Sequence, residues 1–340
     1  MTTIPPIIAD GVTDDTVALQ AALTAMAIGP RSFKLPVGKT VAISRPLVIP
    51  NACSIEGDPW CGESAPCASI IPLPGFRNTN PVVNGLSTVA PCGLLQTQSY
   101  LTGEYCHNAV FRNVRFANPN RVQGIFSGLM AHNPGELFII ERCAGNALGF
   151  CITGNCATLT MRDNLVGGSL NSGVHFYRNP LFPQHGNQGK ACIENLSGDG
   201  NAPSMIFEGG AHNMEVSGIK YEKAISPACT VLTFGSDPAF AGVALDVGYR
   251  PILTASGWNV DPGVMDYAIV IQKGVYPQIQ WIGGRCMSAK WLLDQNDGTQ
   301  IAFDAPDIPG RFISFSREDM RYSGDEKLST VPWTTVASPS

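Results

Sequence analysis

A repeated three-residue pattern is the feature of this chain that most constrains its fold. An apolar residue is followed by a polar residue and then by a turn-forming residue. The pattern occurs at Phe111-Arg112-Asn113, Ile140-Glu141-Arg142, Met161-Arg162-Asp163, Ile193-Glu194-Asn195 and Val216-Ser217-Gly218, in steps of 29, 21, 32 and 23 residues. Short strand-like runs contain these triplets, and clusters of Gly, Asn and Pro separate them. Repeats of about 20–30 residues are typical of solenoids, so the pattern predicts a parallel β-helix.

The middle residues of the triplets predict a charge ladder. Equivalent residues in successive coils stack about 4.8 Å apart. The column then contains Arg112, Glu141, Arg162 and Glu194, whose charges alternate in sign. Because like charges at this spacing repel and opposite charges attract, we interpret Glu141 and Glu194 first as structural residues.

An amphipathic helix is predicted near the N-terminus. Asp14 and Asp15 are favourable N-cap residues, and Gly29-Pro30 ends the pattern. Apolar residues between them follow helical spacing at Leu19, Ala22, Leu23, Met26 and Ala27. The capping role explains the two aspartates, so we interpret them as structural and not catalytic.

The same segment carries a more specific motif. Asp10-Gly11-Val12-Thr13-Asp14-Asp15-Thr16, followed by Ala18-Leu19-Gln20 and Ala22, resembles the opening signature of pectate-lyase superfamily β-helices of the bacteriophage tailspike and polysaccharide depolymerase type. The resemblance continues through Phe33-Lys34-Leu35-Pro36-Val37-Gly38, Val41-Ala42-Ile43-Ser44, Leu47-Val48-Ile49-Pro50 and Ser54-Ile55-Glu56-Gly57. It covers residues 9–57, and beyond them it is architectural.

The resemblance implies an all-β fold, a right-handed single-stranded parallel β-helix with a short N-terminal capping helix. We expect a capping segment over residues 1–30 and the β-helix, with long loops at 58–105 and 235–267, over residues 31–310. Charged residues become frequent from Arg311 to Lys327. Residues 311–340 are therefore expected to form a C-terminal cap or interface segment and a tail.

Composition excludes several classes of function. The net charge of −5 and the lack of a basic patch disfavour nucleic-acid binding. Apolar runs stay far below the ~20 residues of a membrane span, and the N-terminus does not resemble a signal peptide. We therefore expect assembly in the cytoplasm without membrane insertion. Only 14% of the residues are charged, which suits a solenoid that buries side faces against partner chains.

Cysteine and histidine spacing predicts no metal site and no cofactor. The chain has 11 cysteines and 5 histidines, without a Cys-x-x-Cys pair and without histidines clustered near paired cysteines. Free buried thiols are the expected state of the cysteines.

Glycoside hydrolysis needs two carboxylates on either side of the scissile bond. We expect Glu208 and Glu222 to flank a groove, with Glu194 and Asp163 as further catalytic candidates. The polygalacturonase-type motifs Asn-Thr-Asp, Gly-His-Gly and Arg-Ile-Lys are absent. A lyase would need a base, and Lys220, near Glu222, fits that role as well as an ordinary ion pair.

Aromatic residues in the loop-rich segment are candidates for sugar stacking. Trp258 and Tyr249 are the predicted substrate-binding residues, with Phe240 and Tyr267 beside them in sequence. Burial at a chain–chain interface explains them equally well.

Three functions stay open at this stage. The resemblance implies a virion protein of the tailspike or tail-fibre kind, a homotrimer that contacts other virion proteins and binds, or also cleaves, host surface polysaccharide. A non-catalytic decoration or tail accessory subunit is the second hypothesis. A free polysaccharide lyase or glycoside hydrolase is the third, and the expected lack of a signal peptide counts against it.

Overall fold

A computed structural model gives the structure of the protein. It describes residues 5–59, 67–83, 87–168, 173–185, 188–200, 205–208, 211–224, 232–235, 252–261, 267–271, 278–287, 291–295, 312–315 and 320–323. Nearly all described elements are short parallel strands, and each coil of the chain contributes strands to three columns. Connections between parallel strands are right-handed. The chain is thus a right-handed, single-stranded parallel β-helix, as predicted.

Each column is defined by its strands. The first column contains β2 (Ser32–Lys34), β5 (Ser54–Glu56), β8 (Val110–Arg112), β11 (Phe138–Glu141), β14 (Cys156–Arg162), β17 (Gln188–Glu194), β20 (Ala211–Ser217), the first halves of β23 (Ile252–Asp261) and β25 (Gln278–Met287), and β27 (Phe312–Phe315). The second contains β1 (Asp10–Asp14), β3 (Thr40–Ile43), β6 (Ser69–Pro72), β9 (Arg115–Ala117), β12 (Ala144–Asn146), β15 (Leu165–Gly167), β18 (Ser197–Gly200), β21 (Lys220–Ala224), the second halves of β23 and β25, and β28 (Met320–Ser323). The third contains β4 (Leu47–Ile49), β7 (Gly93–Thr97), β10 (Ser127–His132), β13 (Phe150–Thr153), β16 (Val174–Tyr177), β19 (Met205–Phe207), β22 (Leu232–Phe234), β24 (Tyr267–Ile271) and β26 (Trp291–Gln295).

The predicted three-residue pattern sets the register of the first column. Strand pairing places the five apolar residues opposite one another from Phe111 to Val216, and the five polar residues from Arg112 to Ser217. The third residues adopt left-handed backbone conformations, with φ of 57, 50, 55, 53 and 64° at Asn113, Arg142, Asp163, Asn195 and Gly218. Asn, Asp and Gly tolerate this conformation best, and it turns the chain from the first column into the second.

The charge ladder is confirmed at its centre. The carboxylate of Glu141 binds Nε of Arg112 at 2.6 Å and Nε of Arg162 at 2.9 Å, and it lies 3.4 Å from the guanidinium of Arg142. Glu194 occupies the same register position one coil beyond Arg162, as predicted, and its Oε1 accepts a hydrogen bond from the Cys192 thiol at 3.6 Å. Glu141 therefore links three successive coils.

Inward-facing residues form one long apolar core. In the third column, Phe176, Phe207 and Phe234 stack face to face, with ring centroids 5.3 and 5.1 Å apart. Eight cysteines whose side chains the structure describes are free, and seven of them are buried. Among the described residues, no helix is long and apolar enough to cross a membrane.

Helix α1 (Thr16–Ala25) covers the first coil with its buried residues Leu19 and Leu23. Asp14 Oδ1 accepts the backbone N–H of Thr16 at 3.0 Å and forms a turn before the helix, and the N-cap residue Asp15 makes no side-chain cap hydrogen bond. Asp15 instead accepts the backbone N–H groups of Ile8 and Ala9, at 2.7 and 2.9 Å, and fastens the preceding segment. Both aspartates are structural, as interpreted from the sequence.

Gln20 closes the open edge of the third column. Its Nε2 donates to the carbonyl oxygen of Val48 at 2.9 Å, and its Oε1 accepts the Val48 N–H at 2.8 Å. Val48 is the central residue of β4, and no other described strand of the column precedes β4 to pair with it. The glutamine amide thus takes the place of a neighbouring strand.

Replacing this amide is expected to destabilise the N-terminal end. Gln20→Leu leaves both Val48 backbone groups without their partner, which should lower the free energy of unfolding by about 2 kcal/mol. Urea denaturation followed by circular dichroism measures the change. Gln184→Leu, at an exposed loop position, is the matched control and should stay within about 0.5 kcal/mol of the parent.

Three predicted segments contain strands that were not expected there. The first and second columns continue in β27 and β28, so the coils extend beyond residue 310, because the run Phe312-Ile313-Ser314-Phe315 supplies a further strand. Part of the predicted loop 235–267 is the ten-residue strand β23, and the predicted loop 58–105 contains β6, β7 and helix α2 (Gln98–Thr102). The predicted tail after Ser323 lies outside the described residues.

Candidate functional site

The outer face of the second column offers an open surface for a ligand. Its short strands bury their central residues, including Phe116, Val166 and Tyr221, in the core. Because side chains alternate along a strand, the first and third residues face outward. Arg115 and Leu165 are partly exposed at the first position, and Asn146 is exposed at the third.

A groove of about 350 Å³ lies on this face, within the 300–1,000 Å³ typical of small-molecule sites. Its lining consists of Arg115, Ala144, Gly145, Asn146, Leu165, Gly167 and Gly168. Most of these residues are small, so little side-chain volume fills the space beside Arg115 and Asn146. A Cβ at Gly145 would lie 2.1 Å from the Leu148 carbonyl oxygen, so this strand accepts only glycine there.

Three acidic residues occupy the same strand position as Asn146 and Gly167 of the groove, in the coils that follow. Asn146 pairs with Gly167, Gly167 with Asp199, Asp199 with Glu222, and Glu222 with Asp261. Three successive coils therefore carry an acidic residue at one strand position, about 4.8 Å apart along the column. Glu222 is the central residue of this acidic column.

Sequence reasoning did not identify this face as a unit. Arg115, Asn146 and Asp261 were not among the predicted site residues. Extending the register of the three-residue pattern through the left-handed turn would have aligned Asp199 with Glu222. Arg115 carried no motif of its own, because the small residues that create space beside it come from later coils.

Asp163 and Glu194 come together at the corner between the first and second columns. The Asp163 N–H donates to the Glu194 carbonyl oxygen at 3.0 Å, and Asp163 Oδ1 accepts from Asn195 Nδ2 at 2.9 Å. Both side chains are exposed. Their described contacts stabilise the turn, and they lie away from the acidic column.

Glu208 is not part of an open groove, which corrects the expectation that it flanks one together with Glu222. It follows β19 in the third column, whereas Glu222 lies in β21 of the second. The Glu208 side chain is only 1% exposed, and its Oε2 lies 3.2 Å from Nε2 of His175, which is equally buried. The sequence did not pair these two residues, because they are separated by a whole coil.

Glu208 is buried because the outer face of the third column is covered. Tyr100 of helix α2, Phe126, Met130, Cys151 and Tyr177 form a second apolar cluster there, with Leu101 and Leu181 packed against it. The 178–185 loop is fastened to α2, since Asn179 Nδ2 donates to the Tyr100 carbonyl oxygen at 3.0 Å. Burial raises the pKa of the Tyr100 and Tyr177 hydroxyls well above the usual range, which keeps them protonated.

A histidine pair also lies beneath this cover. His132 Nε2 is 3.0 Å from His185 Nδ1, and His132 Nδ1 is 2.8 Å from Thr153 Oγ1. The rings of His132, His185 and Phe182 stack with centroids 5.3–5.6 Å apart. Burial, together with the nearby His185, lowers the pKa of His132 to about 3.

The predicted sugar-stacking aromatics are only partly described. Trp258 lies within strand β23, one residue after Gly257, which has φ of 61°. The sequence predicts a loop at Trp258, whereas the structure has a strand there. Tyr249 and Phe240 lie outside the described residues, and Tyr267 begins β24. In the part of the chain that the structure describes, no group of three or more His, Cys, Asp or Glu residues could hold a metal ion.

Comparisons with known proteins identify the fold. No family model and no curated protein matches the sequence. A double mutant of the tailspike protein of E. coli bacteriophage HK620 superimposes with a TM-score of 0.53 and 13% identity, over 92% of this chain and 63% of that one. Tailspike protein 3 of bacteriophage CBA120 gives 0.50 and 10%, over 96% and 59%. The chain spans about three fifths of each tailspike, and at these identities the likeness shows the fold alone.

Proposed function

We propose that the chain is a virion β-helix of the tailspike or tail-fibre kind, which binds a host surface polysaccharide along the outer face of its second column. The observation that carries the proposal is the groove beside Arg115 and Asn146, which is in register with the acidic column. The fold shared with two phage tailspikes supports the same assignment.

The chemistry of the groove suits a sugar chain. The Arg115 guanidinium and the Asn146 amide offer several hydrogen-bond donors, and the amide oxygen adds an acceptor. Ala144, Gly145 and Gly167 leave room for a ring to approach the strands. Because the column repeats at every coil, a linear polysaccharide lying along the helix axis would contact the same face over its length.

Cleavage is a second candidate function, favoured by the acidic column. Retaining glycosidases hold two carboxyl groups about 5 Å apart. Equivalent strand positions in neighbouring coils repeat at about 4.8 Å. Glu222 would act with Asp199 or Asp261 as the acid and nucleophile pair. A lyase reaction would instead use Lys220 as base, two residues before Glu222 in the same strand.

Assembly belongs to the same proposal. A homotrimer that attaches to other virion proteins explains the low content of charged residues, since flat faces would be buried against symmetry mates. The structural roles of Glu141 and Glu208 favour the alternative of a non-catalytic virion subunit. Such a subunit would form the same assembly but would not bind or cleave polysaccharide in the groove.

Arg115→Ala is expected to weaken polysaccharide binding by tenfold or more, about the effect of losing a hydrogen bond from a charged group. Binding would be measured on an array of bacterial capsular and O-antigen polysaccharides, followed by titration with the polysaccharide that binds. Glu222→Gln should retain binding and abolish the release of oligosaccharides if the protein cleaves its ligand. Both variants would be compared with the parent for thermal midpoint and for trimer mass by light scattering.

Arg121→Ala removes an exposed arginine outside the groove and serves as the control for net charge. Equal binding by the parent and both arginine variants would contradict the groove assignment. A parent protein that trimerises but binds none of the polysaccharides would support the non-catalytic structural role instead.

A further inference from the structure

An exposed aromatic pair lies at the corner between the third and first columns, away from the groove. Tyr105 and His107 belong to the segment between α2 and β8, and their ring centroids are 5.6 Å apart with planes inclined by 21°. Cys106 between them is buried and pairs with Pro134 of the next coil. Because alternate residues of an extended segment face opposite sides, both rings lie on the outside.

The next coil holds this pair rigidly. Cys106 N–H donates to the Asn133 carbonyl oxygen at 3.0 Å, and Gly135 N–H donates to the Cys106 carbonyl oxygen at 2.8 Å. A Cβ at Gly135 would lie 2.1 Å from Nδ1 of His107, so the absence of a side chain there lets the imidazole rest against the backbone. The aromatic surface is thus formed before any ligand arrives, which lowers the entropic cost of binding.

Hydrogen-bonding groups surround the rings. His107 Nδ1 accepts the Glu136 N–H at 3.1 Å, so the neutral imidazole carries its proton on Nε2 and can donate it. Asn155 Nδ2 lies 3.5 Å from the Tyr105 hydroxyl oxygen as a donor, which leaves the hydroxyl proton available to another acceptor. Donors therefore stand at the edge of an apolar surface.

We propose that Tyr105, His107 and Asn155 form a carbohydrate-binding shelf, which takes one pyranose ring. Tyr105 is 46% exposed and is the one aromatic residue among the large exposed hydrophobics of the described residues. A pyranose has an apolar C–H face that fits an aromatic ring and a rim of hydroxyl groups that fits the donors. The shelf rests on the proposed carbohydrate-binding function but lies on a different face from the groove.

Saturation-transfer difference NMR tests the shelf. The probes are the methyl glycosides of glucose, galactose, mannose and N-acetylglucosamine, each with the full-length protein. Ring protons of at least one probe should receive saturation, and Tyr105→Ala should reduce that signal about fivefold or more. Tyr105→Phe keeps the ring and should retain most of it. Gly135→Ala should also reduce it by displacing His107, whereas Gly75→Ala, where a Cβ meets open space, should not.

Other outcomes overturn the proposal. If none of the four glycosides receives saturation from the protein, the shelf does not bind sugar. The same holds if the parent and Tyr105→Ala transfer saturation to the glycosides equally. A change of oligomeric state in Tyr105→Ala, without a change in transfer, identifies the rings as an interface between chains. Arg115→Ala separates the two sites: if it leaves polysaccharide binding intact while Tyr105→Ala abolishes glycoside signals, the groove assignment fails and the shelf stands.

Discussion

Acidification from pH 6.5 to 4.5 is expected to lower the free energy of unfolding by about 2–3 kcal/mol through His132 alone. The imidazole is buried, and its pKa in the folded protein is about 3. Its pKa in the unfolded chain is about 6.5. Between pH 6.5 and about pH 3 the contribution reaches about 4 kcal/mol, a large part of the stability of a typical domain.

The hydrogen bonds around His132 explain why it resists protonation. The Thr153 hydroxyl donates to the Ala131 carbonyl oxygen at 3.1 Å, so its oxygen accepts from His132 Nδ1–H. His132 Nε2 then accepts from His185 Nδ1–H. A proton on Nε2 would place two N–H groups against each other in a site that excludes water.

The direction of the effect follows from the two pKa values. Above pH 6.5 the imidazole is neutral in both states and contributes nothing to the pH dependence. Below pH 6.5 the unfolded chain binds a proton that the folded protein excludes, so stability falls by about 1.4 kcal/mol for each pH unit until about pH 3.

Urea denaturation at several pH values would measure this loss. His132→Gln carries no titrating group and should show a shallower fall of stability with acidification than the parent. His107→Gln, which removes an exposed imidazole at the neighbouring corner, is the matched control. Parallel curves for the parent and His132→Gln would contradict the assignment.

Glu141→Gln is the second substitution with a large expected effect, a loss of about 2–3 kcal/mol of stability. The Glu141 side chain is 7% exposed, and its carboxylate contacts Arg112, Arg142 and Arg162. Removing one member of a buried ion pair costs about 3–5 kcal/mol, and the partly exposed arginines reduce that figure through solvation. Burial raises the pKa of Glu141, but hydrogen bonds from Arg112 and Arg162 outweigh it and hold the pKa below its usual range.

A double-mutant cycle isolates the ion pair. Arg112→Met, Glu141→Gln and the double variant would be compared with the parent by urea denaturation at pH 7. Glu194→Gln changes the same register position at an exposed site and should shift stability by less than about 0.5 kcal/mol. Because the folded pKa of Glu141 is depressed, its contribution is complete above the unfolded pKa of about 4.3 and is lost as the pH falls below it. Independent effects of Arg112→Met and Glu141→Gln would argue against a ladder.

The local sequence pattern determined the coil register. Each triplet of apolar, polar and turn residue specifies one inward side chain, one outward side chain and one left-handed turn, and all three properties belong to neighbouring residues. The charge ladder at Glu141 followed from this register alone. The N-terminal motif likewise determined helix α1, since the turn at Asp14 and the apolar spacing are local properties.

Tertiary structure decided which faces of the helix are open. Glu208 was a plausible groove residue in sequence, but α2 and the 178–185 loop cover the third column and bury it against His175. The groove beside Arg115 exists because Ala144, Gly145 and Gly167 come from later coils. The burial of Glu208 and the groove beside Arg115 both depend on residues from distant parts of the chain. No local sequence pattern can therefore predict either feature. The sequence by itself determined how the chain winds, and the packing of its connecting segments decided where a ligand can reach it.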